Sequence, residues 1–122
     1  MSPMQLEGIH HVSLNVRDHE TARQWYVDKL GLVPLDRPDF GFPGSWMAFP
    51  DGRQVHLIEV SDHVAPQGQH FAIRVSDIDA AVAELRDIGV EVGDPHDVPG
   101  GAGRQAFLSD PSGNLLELNQ PV

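Results

Sequence analysis

Between residues 9 and 16 apolar and polar side chains alternate: Val12, Leu14 and Val16 share one face, and His11, Ser13 and Asn15 the other. This two-residue period predicts a strand with one face on the core and a polar face opposite. Asp18 has the chemistry of a helix N-cap. Behind it Ala22, Trp25, Tyr26, Lys29 and Leu30 fall at helical spacing, and Gly31 is a natural stop. Pro34, Pro38, Gly41, Pro43 and Gly44 then read as a loop, with a short strand over 32–35. Strands follow over 45–49 and 53–60, joined by the turn Pro50-Asp51-Gly52. In the second of these Val55 and Leu57 share one face, and Gln54, His56 and Ile58 the other.

Residues 61–68 read as a linker, and after it the pattern returns. His70, Ala72 and Arg74 alternate with Phe71, Ile73 and Val75. Asp77 caps a helix whose buried side carries Ile78, Ala81, Val82, Leu85 and Ile88, ended by Gly89. A short strand is expected over 90–92, a loop over 93–103, a strand over 105–108, a turn at Asp110-Pro111-Ser112-Gly113, and a last strand over 114–119. Ile9 to Asp18 and Gly68 to Asp77 keep one register over ten positions: His11 matches His70 and Asp18 matches Asp77 at an offset of 59. Gly52 and His56 match Gly113 and Glu117 at an offset of 61. An internal repeat of this size identifies a duplicated structural unit. Each half reads β-α-β-β-β, at about 6–60 and 69–120. The fold expected is α+β: residues 1–122 as a single domain of two tandem βαβββ modules forming a cupped mixed sheet with helices on the outside. If the two units set their first and last strands side by side, His11, His56, His70 and Glu117 converge.

Composition narrows the chemistry. At 122 residues with 40% hydrophobic content, one compact unit with its own core is expected. The chain has no cysteine, which excludes disulfides, thiolate metal sites and a cysteine nucleophile. Eighteen acidic residues against 8 basic ones give a net charge of −10, so the basic footprint of a nucleic-acid binder is absent and an anionic membrane is not attracted. The stretch Met1 to Glu7 lacks the basic start and apolar run of a signal peptide. No segment reaches the length of about 20 apolar residues that spans a bilayer. A cytoplasmic location is the expectation. Lys29 is the only lysine and lies in a predicted surface helix, which argues against Schiff-base chemistry.

A lone histidine in a strand is ordinarily a surface or hydrogen-bonded residue. Here three histidines and one glutamate occupy strand positions related by the repeat, all on the face away from the apolar stripe. Three imidazoles and a carboxylate suit a borderline divalent ion such as Ni, Zn, Co, Fe or Mn, and suit Mg or Ca poorly. Without thiolates a structural zinc site is not expected. His10 adjoins His11 but is expected on the opposite face, as a structural residue. His19 follows a helix cap, and His63 and His96 fall in loops.

Four segments carry a resemblance: Ile9-His10-His11-Val12-Ser13-Leu14-Asn15-Val16, Val55-His56-Leu57-Ile58-Glu59, His70-Phe71-Ala72-Ile73-Arg74-Val75, and Phe107 to Leu118 with its Asp110-Pro111-Ser112-Gly113-Asn114 turn. With them the chain resembles the vicinal oxygen chelate superfamily, which includes glyoxalase I, extradiol dioxygenases, fosfomycin resistance proteins and bleomycin-binding proteins. The resemblance implies that His11, His70 and Glu117 bind one divalent transition metal per site, with His56 at the fourth ligand position. It implies a small-molecule substrate with vicinal oxygens and a homodimer.

By the same resemblance the expected activity is that of a divalent-metal-dependent lyase or isomerase of the glyoxalase I type. Glu117 and His56 would be its catalytic residues, assisting proton transfer next to a metal-chelated carbonyl. His56 departs from glyoxalase I, which usually has Glu there. An extradiol-type dioxygenase and a non-catalytic drug- or toxin-binding protein are the alternatives. Substrate-binding candidates are Arg74, on the face of His70; Arg104, after a glycine-rich loop; and the aromatic residues Trp46 and Phe107. For Arg74 a surface ion pair is the competing reading, and for the aromatics plain core packing.

Overall fold

A computed structural model describes residues 3–122. Met1 and Ser2, the start of the stretch that does not read as a signal peptide, lie outside the described residues. The first half contains β1 (His11–Val16), α1 (His19–Leu30), β2 (Val33–Leu35), β3 (Gly44–Ala48) and β4 (Gln54–Glu59). The second contains β5 (His70–Arg74), α2 (Ile78–Asp87), β6 (His96–Asp97), β7 (Arg104–Ser109) and β8 (Leu115–Gln120), with a 3-10 turn at Pro99–Gly101. The βαβββ order is therefore present twice. The strands form two four-stranded mixed sheets, ordered β1-β4-β3-β2 and β5-β8-β7-β6. In each, the first strand of the module pairs parallel with its last, and the other pairs are antiparallel. No described helix is long and apolar enough to cross a membrane.

Both helices begin where the caps predict. The Asp18 carboxylate accepts from the N–H groups of Glu20 and Thr21 at 3.0 and 3.1 Å, and Asp77 accepts from Ala80 N–H at 3.1 Å. A second acceptor serves each helix start: Glu59 takes the His19 N–H at 3.0 Å, and Gln120 takes the Ile78 N–H at 2.8 Å. These two contacts occupy equivalent places in the repeat, so the last strand of each module fixes where its helix begins. Helix α1 ends at Gly31, whose φ of 74° is left-handed and open to glycine at little cost.

The core joins both halves. Val16, Tyr26, Met47, Val55 and Leu57 from the first cluster with Ile78, Val82, Leu108, Leu116 and Leu118 from the second. Between the halves lies a buried polar lock. The Asp110 carboxylate accepts from Tyr26 Oη at 2.8 Å, from the backbone N–H groups of Ser112 and Asn114 at 2.8 and 3.0 Å, and from Asn114 Nδ2 at 2.9 Å. Burial and the adjoining carboxylate raise the Tyr26 phenol far above its ordinary pKa, so it stays a donor. Arg17 adds to the same junction, its backbone N–H reaching Ser112 Oγ at 2.9 Å and its guanidinium the Pro111 carbonyl at 3.0 Å.

One expected element is corrected. The strand expected over 90–92 reduces to an isolated bridge between Val92 and Leu108. Beside it Arg86 donates to the Val92 carbonyl at 2.7 Å, so that carbonyl is satisfied without a strand partner. The outer place in the sheet falls to His96–Asp97, inside the expected loop, paired with Gln105 and Arg104.

Candidate metal centre

The repeat survives in three dimensions as two half-sites with the same register. On β1 and β4, Ser13 pairs with His56, so His11 stands two residues along from the partner of His56. On β5 and β8, Ala72 pairs with Glu117, and His70 stands two residues along from the partner of Glu117. The third strand repeats the relation: Trp46 pairs with His56, and Phe107 pairs with Glu117.

In the first half-site the rings stack. His11 and His56 have centroids 3.9 Å apart at 17°, and Trp46 lies on His56 at 4.3 Å and 8°. His56 is buried because β4 is a central strand, covered on both sides. Its Nε2 meets Gln54 Oε1 at 2.8 Å, an oxygen that only accepts, so that nitrogen carries the proton. Burial, then the neighbouring His11, His10 and Arg37, push its pKa down to about 4. The ring is therefore neutral at neutral pH. His10 belongs here as well, against the expectation of a structural residue on the other face. Its Nδ1 meets His11 Nδ1 at 2.9 Å, and its ring meets His56 edge-on at 6.5 Å. Strand β1 begins only at His11, so strand alternation does not govern the residue before it.

The second half-site is built around charge. His70 Nδ1 lies 2.9 Å from the Gly68 carbonyl, which fixes the proton on that nitrogen. Its Nε2 then faces Glu117 Oε1 at 3.1 Å. A proton shared between the two atoms, or a metal ion bound by both, meets this geometry. Ligand bonds of about 2.1 Å at a right angle place donor atoms about 3 Å apart, close to this separation. Asn119 Nδ2 donates to the other oxygen, Glu117 Oε2, at 2.8 Å, and so orients the carboxylate. Glu117 is buried. The donor set and this spacing fit a divalent transition metal.

Within one chain the half-sites stay apart. Among the described residues, no three His, Cys, Asp or Glu side chains form a group that could hold a metal ion. The two edge strands β1 and β5 flank a cavity of about 570 Å³, lined by Val12, Leu14, His63, His70 and Phe71 among others.

The remaining candidates divide. Trp46 joins the first half-site, and Phe107 meets His70 edge-on at 5.4 Å in the second. Arg74 is exposed at the far end of β5 from His70, opposite Asn119. Arg104 is committed elsewhere, to Asp79 at 2.8 Å and Asp97 at 3.5 Å. Arg37, which sequence reasoning missed, lines a pocket with His11, His56 and Trp46. Its position in a Pro-rich loop gave no periodic signal.

Residues 8–118 match the family model of the Glyoxalase/Bleomycin resistance protein/Dioxygenase superfamily. The chain is 24% identical to Glyoxylase I 4 of Arabidopsis thaliana, across 96% of this chain and 72% of that protein. Among solved structures it resembles TnmS3, an antibiotic binding protein from Streptomyces sp. CB03234, with 32% identity, a TM-score of 0.84, and coverage of 98% of this chain and 100% of that one. It also resembles the glyoxalase family protein from Enterococcus faecalis, with 25% identity, a TM-score of 0.81, and coverage of 95% and 99%.

Proposed function

Because the chain belongs to the Glyoxalase/Bleomycin resistance protein/Dioxygenase superfamily, we propose that it is a metal-dependent enzyme acting on a small molecule with vicinal oxygens, by lyase or isomerase chemistry. The observation that carries this reading is the 3.1 Å approach of His70 Nε2 to Glu117 Oε1, two ligand atoms at the separation that a shared divalent ion would set. His70, Glu117 and His11 would hold a divalent transition metal, with His56 at the fourth position. When bound, the ion supplies a Lewis acid that polarises a substrate carbonyl. His56 must leave Gln54 to offer Nε2 to the ion. If it keeps that contact, its neutral ring offers Nδ1 to a substrate proton instead. Asn119 holds Glu117 in place, and Gly68 holds His70 in the tautomer that binds.

The site is assembled from two copies of the chain. His11 and His56 of one would meet His70 and Glu117 of the other, a reading supported by the finding that among the described residues of one chain no group of three such side chains could hold a metal ion. The likeness to an antibiotic binding protein supports a second reading, sequestration of a small molecule without turnover.

Elemental analysis tests the first reading, on wild type, His11→Ala and Glu117→Ala after metal supplementation. About one transition metal per chain is expected in wild type and little in either variant. Mixing the two variants under subunit exchange should restore metal to about one quarter of sites, because half the dimers are mixed and each rebuilds one intact site. A wild type that holds no metal after reconstitution overturns the enzyme reading. Exchange without recovery overturns the shared site. A metal-free protein that binds ligands stoichiometrically without product would favour sequestration.

A further inference from the structure

The connection between β2 and β3 builds an aromatic wall beside the first half-site. Phe40 and Phe42 are 52% and 46% exposed, a costly placement for large apolar groups that serve no core. Their rings are packed together all the same. They stack at 5.8 Å and 23°, and Phe40 continues onto Trp46 at 5.9 Å. Trp46 in turn lies on His56. Arg37 stands over both phenylalanines, with Cζ 5.0 and 4.9 Å from their ring centres, and donates to the Phe42 carbonyl at 3.0 Å. In a chain of net charge −10, Arg37 has no ion pair with a carboxylate among the described residues.

The wall is held in place by Gly44. A Cβ there would lie 2.3 Å from the Leu57 carbonyl oxygen and 3.0 Å from Arg37 Cζ, so only glycine lets the loop fold this closely onto β4. Together these residues enclose a pocket of about 360 Å³ with His10, His11 and His56 along its inner side. That volume lies in the range of small-ligand sites, which are mostly apolar with a few placed polar groups.

We propose that this pocket is the specificity subsite and that it takes a planar, conjugated ligand bearing an anionic group. The plane lies against Phe40, Phe42 and Trp46, and the anion meets Arg37. Flat faces reward a flat ligand over a saturated one of equal size. A guanidinium with free donors and no carboxylate rewards a carboxylate or phosphate. The proposal rests on the functional reading above for one point only, that the oxygen-bearing end of the ligand is turned toward His11 and His56.

Calorimetric titration of the metal-free full chain separates the two. The probes are hydroxynaphthoate (planar and anionic), naphthol (planar and neutral) and cyclohexanecarboxylate (anionic and saturated). Hydroxynaphthoate should bind about tenfold tighter than either of the others. Arg37→Met should weaken hydroxynaphthoate about tenfold and leave naphthol within about twofold. Arg37→Lys should recover part of the loss. Phe40→Ala with Phe42→Ala should weaken both planar probes, in protein whose melting temperature is that of wild type. Equal affinity for the saturated acid, or hydroxynaphthoate binding indifferent to Arg37→Met, overturns the proposal. Planar binding that persists in a protein unable to hold metal keeps the subsite and removes only the enzyme reading.

Discussion

Asp110→Ala is the sharpest test of how the two modules are held together. Asp110 is 5% exposed and Tyr26 fully buried, and the carboxylate serves four donors: Tyr26 Oη, two backbone N–H groups and the Asn114 amide. Alanine leaves Tyr26 Oη and the two backbone N–H groups without this partner, while the Asn114 amide keeps its contact with the Asn15 carbonyl at 2.9 Å. A buried unpaired donor costs about 1–3 kcal/mol, but the turn can relax and admit water, so the summed loss should be about 3–5 kcal/mol. For a chain of this length the entropy of unfolding is about 0.26 kcal/mol per degree, so a loss of 4 kcal/mol lowers Tm by about 15 °C. Tyr26→Phe removes one donor and leaves the carboxylate with three, and should cost about 1–1.5 kcal/mol. Urea unfolding of the two single variants and the double variant measures both losses and their coupling, with an unchanged m-value as the sign that two-state behaviour persists. If Asp110→Ala lies within 1 kcal/mol of wild type, or the double variant is merely additive, the junction does not depend on this network.

Three further outcomes are expected. The His56 pKa is depressed from 6.5 to about 4 in the folded chain, so the unfolded chain takes up this proton first. Its contribution to stability is complete above pH 6.5 and is lost as the pH falls toward 4; melting curves of wild type and His56→Gln should therefore converge over that window, and parallel curves would refute the assignment. Gly44→Ala places a Cβ 2.3 Å from the Leu57 carbonyl, so it should cost about 1–3 kcal/mol in thermal unfolding, against no change if the loop shifts freely. Chelation should lower the Tm of metal-loaded protein by the equivalent of about 2.7 kcal/mol at a metal concentration of 100 Kd, and should leave Glu117→Ala unmoved.

The parts of the fold that were legible in the sequence are those fixed by local chemistry. Asp18 and Asp77 cap their helices, and Gly31 ends the first, because capping is decided within a few residues. The alternation of His11 to Val16 is borne out by burial, with Val16 inside and His11, Ser13 and Asn15 exposed. What was not legible depends on distant partners. The outer strand β6 is set by pairing of His96 and Asp97 with Gln105 and Arg104, and no local pattern marks that. Glu59 and Gln120 as second acceptors at the helix starts become visible only when first and last strands are placed together. His10 was misread for a simpler reason: alternation was extended one residue beyond the strand. The offset of 61 that relates His56 to Glu117 also relates Trp46 to Phe107, so the aromatic positions were in the pattern and could have been found with the ligands.

Duplication accounts for the form of the half-sites and for their difference. Each has a first-strand histidine set diagonally to a residue on the last strand, with an aromatic across from that residue on the third. The last-strand residue then decides the chemistry. With Glu117 the pair holds a place for a cation. With His56 the pair is two stacked rings, which suits them to donate lone pairs or to wall a pocket. On the proposed function, the four-ligand set combines one half-site of each kind. Strands β1 and β5, which carry the two leading histidines, are also the edge strands of their sheets, and an open edge invites a partner. Setting β1 of one chain beside β5 of another, and the reverse, covers these two edges by one two-fold operation, while β2 and β6 remain the outer edges. On the proposed assembly, the contact that closes the edges is the one that completes the metal site, and each of the two sites pairs one half-site of each kind.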